Sequence, residues 1–472
     1  MTEGYADNIR YVFEPRNVAV IGVSKDPHKW GYITLKNIID GGFEGSIYPV
    51  NPEADTILGL KCYRDIRDVP EVDSAVIVVP APAVPKVMEG CVEKGVKVAI
   101  IITAGFSEIG PRGEELQQEV VRIAKKGNVR IVGPNCQGVY VARKKLVATW
   151  SSIPKEKIVL GPIGFVSQSG AFAGMMLRWA IERGIPLSTA ISAGNQADLE
   201  LSDYVKYLAD DEATKVIVMY IEGVRNGKEF IKALELCLEK RKPVVVMKVG
   251  YTASGAKASR SHTAAIAGMD HVYEAVFKKY GVIRVYEEDD MFYVARTLAN
   301  VPLPKGDRVG VVSFSGGWGV QASDNLDTAG FKLPPLPAYI IKDLDKVLPP
   351  FWNRGNPIDL VGTGGLRAYR SAAKLLMEDP DFDAVLMLGF VGFFRADPAE
   401  EETTVKEVAT YPKKYGKPLI VVNIRGREVS GVKLLEELDI PVYQNVPKAV
   451  RALKALRQNA EFLEKTEKYK LR

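Results

Sequence analysis

The sequence predicts an α/β protein made of three doubly wound units, each a mostly parallel sheet covered by helices. Short apolar runs alternate along the chain with longer amphipathic segments, as expected for buried parallel strands joined by crossover helices. Joints rich in proline, glycine and serine divide this alternation into three sets. Several apolar runs end in glycine or serine turns, where a strand commonly gives way to a helix.

The first set of predicted strands lies within residues 1–150. Its members are Val18–Ile21, Ser46–Val50, Ser74–Val79, Val98–Thr103 and Val129–Val132. Amphipathic segments between them, for example Val84–Glu93 and Gly113–Lys126, predict helices. This stretch is therefore expected to form one domain.

Two further sets follow, separated by joints at residues 151–155 and 301–307. The strands predicted in the second set are Ile163–Val166, Leu187–Ser192, Val216–Ile221, Val244–Val249 and Val282–Val285. Those predicted in the third set are Arg308–Phe314, Ala384–Leu388, Leu419–Val422 and Val442–Tyr443. The joints predict domains of residues 1–150, 151–302 and 303–472.

Composition excludes several classes of protein. Basic and acidic residues are nearly balanced, 63 against 58, and are mixed along the chain, which argues against a nucleic-acid-binding stripe. No apolar run is long enough to cross a bilayer, and the N-terminus lacks a secretion signal. The four cysteines form no C-x-x-C pair and there are only three histidines, so neither a metal site nor disulfides are expected. We expect a cytoplasmic protein that binds neither nucleic acid nor membrane.

A glycine turn at Gly22 follows the first predicted strand, where a helix N-terminus can receive phosphate. The dinucleotide fingerprint G-x-G-x-x-G is absent, because Ser24 follows and the next glycine is Gly31. The second strand ends at Asn51, where an NAD-binding domain has an acidic ribose ligand. The sequence therefore disfavours NAD and a dehydrogenase.

Small and proline-fixed residues also follow the third, fourth and fifth strands of this unit. Because the carboxyl ends of parallel strands share one edge of a sheet, these residues leave room there for a nucleotide-like ligand. The residues expected to contact it are Gly22, Ser24, Val79, Pro80, Thr103 and Asn135. The alternative is a purely structural row of tight turns.

Serine-glycine turns follow a strand in the second and in the third unit. Backbone N–H groups at such a turn can close on an anion, helped by the positive end of the helix dipole. The residues predicted to bind phosphate are Ser167, Ser169, Gly170, Gly316 and Gly317.

His262 is the candidate nucleophile, and we expect it in a polar loop. A lone histidine is usually structural, but Arg260, Ser261 and Thr263 make this setting polar. Neutral imidazole is available near pH 7 and can attack phosphorus. Glu222, at a predicted strand end, could orient the ring, although a surface carboxylate fits the same position equally well.

The segment Lys248–Lys257 superficially resembles a P-loop. It lacks the Gly-Lys-Ser/Thr ending, because Ala256 intervenes. We therefore interpret it as a flexible loop leading to His262 and not as an ATP site.

Together these motifs resemble the NDP-forming acyl-CoA synthetases, and among them the α subunits of the ADP-forming acetyl-CoA type. The resemblance covers about the whole chain. It is carried by Val20–Ser24, Gly133–Cys136, Ser167–Ala171 and Ser261–Thr263. The third unit, with Gly316-Gly317 and Asn356–Leu360, is similar to the C-terminal part of the succinyl-CoA synthetase β subunit.

The resemblance implies a Rossmann-like CoA-binding domain followed by two flavodoxin-like domains. Acyl-CoA and phosphate would give acyl phosphate and CoA, with CoA bound by the edge residues of the first unit. His262, oriented by Glu222, would then carry the phosphoryl group to ADP. Nothing in this chain resembles the ATP-grasp unit needed for that transfer. The resemblance therefore implies a β subunit in an α2β2 heterotetramer, with Mg²⁺ entering on the partner's ADP or ATP.

Ala264, Trp318 and Gln137 depart from the usual family pattern, and they bear on which acid is used. Another ligase of the superfamily, specific for succinyl-, malyl- or hydroxyacyl-CoA, is one alternative. A noncatalytic CoA-binding sensor is another. The pair of His262 and Glu222 separates them, because a sensor does not need both residues.

Overall fold

The computed structural model describes residues 6–151, 153, 158–262, 270–363, 365–394 and 396–470, without the side chains of 258–262 and 468–470. The chain forms two compact units, Met1–Phe292 and Tyr293–Arg472. Unit 1 contains two large sheets and unit 2 contains one. These sheets are mostly parallel and carry helices between their strands, so the predicted α/β class is confirmed.

The first sheet of unit 1 has five parallel strands. Its segment of the chain contains β1 (Asn17–Ile21), β2 (Ser46–Val50), β3 (Thr56–Ile57), β4 (Leu60–Lys61), β5 (Ser74–Ile77), β6 (Val98–Ile101) and β7 (Arg130–Val132). The order in the sheet is β2-β1-β5-β6-β7, and β3 and β4 form a separate antiparallel pair. The helices are α1 (Arg10–Phe13), α2 (Trp30–Gly41), α3 (Val84–Lys94) and α4 (Pro111–Lys126). Gly42 and Gly95 end α2 and α3 with positive φ, the conformation that favours glycine.

The second sheet of unit 1 has seven strands. They are β8 (Gly138–Val141), β9 (Leu146–Thr149), β10 (Leu160–Ser167), β11 (Leu187–Ser192), β12 (Val216–Ile221), β13 (Val244–Lys248) and β14 (Ile283–Val285). Their order is β14-β13-β12-β10-β11-β8-β9, with β8 and β9 antiparallel. The helices that follow are α5 (Gly170–Glu182), α6 (Leu201–Asp210), α7 (Gly227–Glu239), α8 (Ala253–His262), α9 (Asp270–Tyr280) and α10 (Asp290–Asn300).

The hairpin β8–β9 lies within the stretch expected to form the first domain, yet it pairs with β11 of the second sheet. Neither of its strands is among those predicted from the sequence, although all of their residues are buried. A short apolar run also does not indicate which sheet a strand joins. That choice depends on tertiary contacts. The domain bounds stay a prediction.

Unit 2 contains one parallel sheet. Its strands are β15 (Val309–Ser313), β16 (Ile358–Asp359), β17 (Ala384–Leu388), β18 (Leu419–Val422) and β19 (Val442–Tyr443), in the order β16-β15-β17-β18-β19. Its further helices are α11 (Gly316–Thr328), α12 (Ala338–Leu344), α13 (Gly365–Glu378), α14 (Pro398–Ala409), α15 (Tyr411–Tyr415), α16 (Ser430–Glu437) and α17 (Val446–Lys470). The strand β16 is not among those predicted from the sequence, because it is only two residues long.

Burial of the central strands explains their sequences. All residues of β5, β6, β11 and β17 are buried, as covering both faces of a parallel sheet requires. The largest fully buried side chains include the aromatic residues Phe165 and Tyr369. Among the described residues, no helix is long and apolar enough to cross a membrane.

Candidate functional site

A cleft of about 240 Å³ lies between the carboxyl edges of the two sheets of unit 1. Loops that follow β6, β7, β10, β11 and β12 line it, including Ala104, Asn135, Cys136, Ser169, Gly194 and Glu222. Ligands of open α/β sheets bind at this edge, because the loops there carry variable side chains above a rigid frame. The cleft is therefore the candidate site.

The loop after β7 and the loop after β11 fix the two edges against each other. Asn195 donates its backbone N–H to the carbonyl of Pro134 at 2.9 Å, and Ala197 donates to the carbonyl of Gly133 at the same distance. Gly194 has a φ of +55°, and a Cβ there would lie 2.3 Å from the oxygen of Pro134. Only glycine permits this approach.

Glu108 and Asn195 reinforce the contact between the two edges. The Asn195 side chain donates to Glu108 Oε2 at 2.5 Å and to Gln117 Oε1 at 3.1 Å. Glu108 Oε1 accepts from the backbone N–H of Gly105 at 2.5 Å and of Phe106 at 3.1 Å. Burial on its own raises the pKa of Glu108, but these hydrogen bonds hold that pKa below its ordinary value. This network could not be predicted from the sequence, because Asn195 is 87 residues away from Glu108 in the chain.

The first glycine turn depends on close packing. Gly22 has a φ of +89°, and a Cβ on it would lie 2.5 Å from the oxygen of Val78. Asn51 stands where an NAD-binding domain has its acidic ribose ligand. Its side-chain amide donates to the carbonyl of Val23 at 2.7 Å, so Asn51 supports the glycine turn. The Ser24 hydroxyl accepts from the N–H of Asp26 at 3.1 Å.

Other residues predicted at this edge have differing exposure. Thr103 is buried, and its hydroxyl donates to the carbonyl of Val79 at 2.7 Å. Val79 is half-buried and Pro80 is exposed. Of the six residues predicted to bind the nucleotide-like ligand, Asn135 lines the cleft, and the other five lie outside its lining.

The two serine-glycine turns share one hydrogen bond. Ser167 donates its hydroxyl to the carbonyl of Ser169 at 2.8 Å, and Ser313 donates to the carbonyl of Ser315 at 2.7 Å. Within the described part of the chain, no side chain caps the helix that begins after either turn. Ser169 and Gly170 line the cleft, whereas Ser167 is fully buried and shapes the turn. The N-terminus of α5 therefore presents uncapped N–H groups to the cleft.

In unit 2 the corresponding turn exposes Gly316 and Gly317 at the edge of the sheet. A Cβ on Gly316 would lie 2.8 Å from Oδ2 of Asp359, so a carboxylate adjoins this helix N-terminus. Trp318 packs edge-on against Phe393, with 6.0 Å between the ring centroids. This contact gives Trp318 a packing role.

Glu222 directly follows β12 and lines the cleft. It is 6% exposed, and its Oε2 has no hydrogen-bond partner among the described residues. The Gln168 side chain accepts from the backbone N–H of Glu222 at 2.5 Å and of Gly223 at 3.0 Å. It also donates to the carbonyl of Gly223 at 2.6 Å. A buried carboxylate oxygen is thus held at the cleft without a described partner.

Lys248 lies next to this turn, because it pairs with Ile221 across β12 and β13. Its side chain is buried, with Nζ donating to the carbonyl of Val249 and lying 4.8 Å from the centre of the Tyr273 ring. Burial lowers the pKa of Lys248. In the sequence this lysine stands out only as the first residue of the P-loop-like segment.

The expectation that His262 lies in a loop is wrong at the level of the backbone. Residues Ala253–His262 form α8, and this also corrects the interpretation of Lys248–Lys257 as a flexible loop. The Thr252 hydroxyl accepts from the N–H of Gly255 at 3.0 Å, and alanines within the segment favour helix. The His262 side chain, Thr263 and Ala264 lie outside the described residues.

Three family models match the chain in succession. Residues 16–142 match a CoA binding domain, residues 160–298 a succinyl-CoA ligase like flavodoxin domain, and residues 309–454 a ligase-CoA domain. These three matches, together with the cleft at the sheet edges, define the protein as a CoA ligase of the succinyl-CoA ligase type.

Comparison with similar proteins identifies the family within this class. The chain is 39% identical to the acetate–CoA ligase (ADP-forming) I subunit alpha of Pyrococcus furiosus, over 95% of this chain and 97% of that one. It is also 39% identical to the corresponding II subunit alpha, over 96% and 98%. A solved structure, the dinucleotide-forming acetyl-coenzyme A synthetase 1 of Ca. Korarchaeum cryptofilum with phosphate and ADP, superposes with a TM-score of 0.86. That match is 34% identical and covers 98% of both chains. The chain belongs to the family of ADP-forming acetate–CoA ligase α subunits, as the sequence motifs predicted.

Proposed function

We propose that this chain is the α subunit that forms acyl phosphate and carries phosphohistidine in an ADP-forming acyl-CoA ligase. The overall reaction interconverts acyl-CoA, ADP and phosphate with acid, ATP and CoA. The observation that carries the proposal is Glu222, a buried carboxylate with an unpartnered oxygen in the same cleft as the uncapped N-terminus of α5.

In the first step, phosphate attacks the thioester carbonyl of acyl-CoA. A C–O bond forms and the C–S bond breaks. The departing thiolate takes up the proton that the attacking hydrogen phosphate loses and so becomes CoA. The backbone N–H groups at Ser169 and Gly170 are suited to hold the phosphate, because the dipole of α5 favours an anion there. Ser167 is proposed to support this site in unit 1. Gly316 and Gly317, in unit 2, are proposed as further phosphate-binding residues.

In the second step, a ring nitrogen of His262 attacks the phosphorus of acyl phosphate. The P–N bond forms as the P–O bond to the acyl group breaks, and the carboxylate of the acid leaves. Glu222 is proposed to accept a hydrogen bond from the other ring nitrogen, which fixes the tautomer and stabilises the cation formed. A buried carboxylate with one free oxygen suits this role.

In the third step, the phosphoryl group passes from His262 to ADP, which regenerates the neutral ring. The matched relatives are named as alpha subunits, which supports a partner subunit. We propose that this partner is an ATP-grasp β subunit in an α2β2 heterotetramer, and that it binds the nucleotide with Mg²⁺. The cytoplasmic location stays a prediction.

CoA is proposed to lie along the edge of the first sheet. The match of residues 16–142 to a CoA binding domain supports this ligand. The residues proposed to contact it are Gly22, Ser24, Val79, Pro80, Thr103 and Asn135.

The experiment separates the two half-reactions in the complex with the β subunit, supplied with acyl-CoA, phosphate and Mg·ADP. Wild type and the control His271→Ala, at an exposed position of α9, should release CoA and form ATP. His262→Ala should release CoA and accumulate acyl phosphate, which hydroxylamine traps, without forming ATP. If His262→Ala forms ATP at the wild-type rate, His262 is not the phosphate carrier. If the wild-type complex binds CoA but never releases CoA from acyl-CoA, the chain is a noncatalytic CoA-binding sensor.

A further inference from the structure

Gln137 lines the cleft between the sheet edges and is 3% exposed. Its backbone N–H donates to the Ser192 hydroxyl at 2.9 Å, and its side-chain Nε2 donates to the Ser151 hydroxyl. Its Oε1 has no hydrogen-bond partner among the described residues. The residue that departs from the family pattern thus leaves one polar atom unpaired at the candidate site.

The amide of Gln137 is held in place by packing. A Cβ on Gly174 of α5 would lie 2.5 Å from Nε2, so the helix passes directly against the amide. Leaving a buried amide atom unpaired destabilises a protein unless a ligand or water supplies the partner. A fixed, unpaired amide in a binding cleft is therefore a recognition element for a polar group.

We propose that Gln137 determines acid specificity by binding a hydroxyl group on the acyl chain, so that hydroxycarboxylic acids are the preferred substrates. A hydroxyl both donates and accepts, so it can pair with the amide whether the unpaired atom is the oxygen or the nitrogen. This inference rests on the proposed ligase function of the same cleft.

The indoles of Trp30 and Trp150 supply an apolar wall for the carbon chain of such an acid. Both line the cleft. Their rings stack with centroids 4.9 Å apart and planes 6° apart. A flat apolar wall with one amide is suited to an acid that carries methylene groups and one hydroxyl.

The test compares kcat/KM for matched acids in the complete complex with the β subunit, using butyrate against 3- and 4-hydroxybutyrate and propionate against 3-hydroxypropionate. Wild type should prefer a hydroxy acid over its alkyl counterpart by about tenfold or more, because the alkyl acid leaves the amide unpaired. Gln137→Met, which keeps the length of the side chain and removes the amide, should bring this ratio to about one. The control Gln118→Met, on the exposed face of α4, should keep the wild-type ratio.

Equal use of both acids of every pair by wild type would overturn the inference, and this measurement does not depend on any variant folding. A hydroxy-acid preference that survives in Gln137→Met would also overturn it. Failure of the proposed ligase function gives a different result: neither the hydroxy acids nor the alkyl acids would yield a CoA thioester in the wild-type complex.

Discussion

The side-chain oxygen of Gln168 accepts hydrogen bonds from the backbone N–H groups of both Glu222 and Gly223, and its amide donates back to the carbonyl of Gly223. Gln168 directly follows β10, and Glu222 directly follows β12. The three hydrogen bonds therefore join the turn that begins α5 to the turn that carries the buried carboxylate. We infer that Gln168 is a positioning residue for Glu222.

Replacing Gln168 with leucine should both slow phosphoryl transfer and lower the stability of the protein. Two N–H groups lose their acceptor, which should lower the free energy of unfolding by about 1–3 kcal/mol. Without the Gln168 hydrogen bonds, Glu222 should shift from its position. We expect kcat to fall about tenfold or more with little change in KM for CoA, since misplacing a catalytic group slows the chemical step. Urea unfolding and steady-state kinetics of the complex measure the two effects, with exposed Gln118→Leu as control. A loss of stability with unchanged kcat would contradict the positioning role.

Glu222→Gln should leave the fold intact and slow formation of phosphohistidine by about 100-fold or more, because an amide cannot stabilise the imidazolium as a carboxylate does. The measurement is the single-turnover rate of label transfer from ATP to the α chain in the complex. Glu239→Gln, at an exposed position of α7, should keep the wild-type rate. A wild-type rate in Glu222→Gln would exclude the carboxylate from the reaction.

Gly194→Ala should destabilise unit 1. The added Cβ would meet the oxygen of Pro134 at 2.3 Å at a positive φ, so a loss of at least about 2 kcal/mol in the free energy of unfolding is expected. Gly227→Ala is the matched control, because a Cβ there meets no atom within 4 Å. Urea unfolding of the two variants measures the difference, and equal stabilities would show that the two sheet edges do not need this close approach.

Stability should depend on pH through Glu108, whose pKa is held below its ordinary value of 4.5 by hydrogen bonds that outweigh the opposing effect of burial. A carboxylate with a lowered folded-state pKa contributes stability that is fully present above the unfolded-state pKa and is lost as pH falls through the folded value. The stability difference between wild type and Glu108→Gln should therefore be largest near pH 7 and shrink in acid below pH 4.5. Urea unfolding across this range measures it, with Glu119→Gln as the surface control, and a difference independent of pH would contradict the prediction.

The sequence predicted those features that depend on local pattern. Each predicted strand of the three sets is present within a few residues, because parallel strands buried on both faces form continuous apolar runs. The placement of Glu222 at a strand end and of Ser169 and Gly170 at a helix start is confirmed for the same reason. Their roles in binding and catalysis stay predictions.

Features that depend on tertiary contacts escaped the sequence analysis. The hairpin β8–β9 joins the second sheet through pairing with β11, and Asn195 meets Glu108 across 87 positions of the chain. The helix Ala253–His262 was missed because the polar residues around His262 suggested a loop, whereas the Thr252 cap and the alanines favour helix. Gln137 was noticed only as a departure from a pattern, since its unpaired oxygen is visible only in three dimensions.

The most direct test of the account is to locate the phosphoryl group. The wild-type complex with its β subunit is incubated with Mg·ATP in the absence of CoA, and the α chain is then analysed by tandem mass spectrometry under conditions that preserve phosphohistidine. The account predicts phosphate on His262 and its disappearance when ADP is added. Phosphate on a different residue, or an α chain that stays unmodified in a complex that forms acyl-CoA, would contradict it.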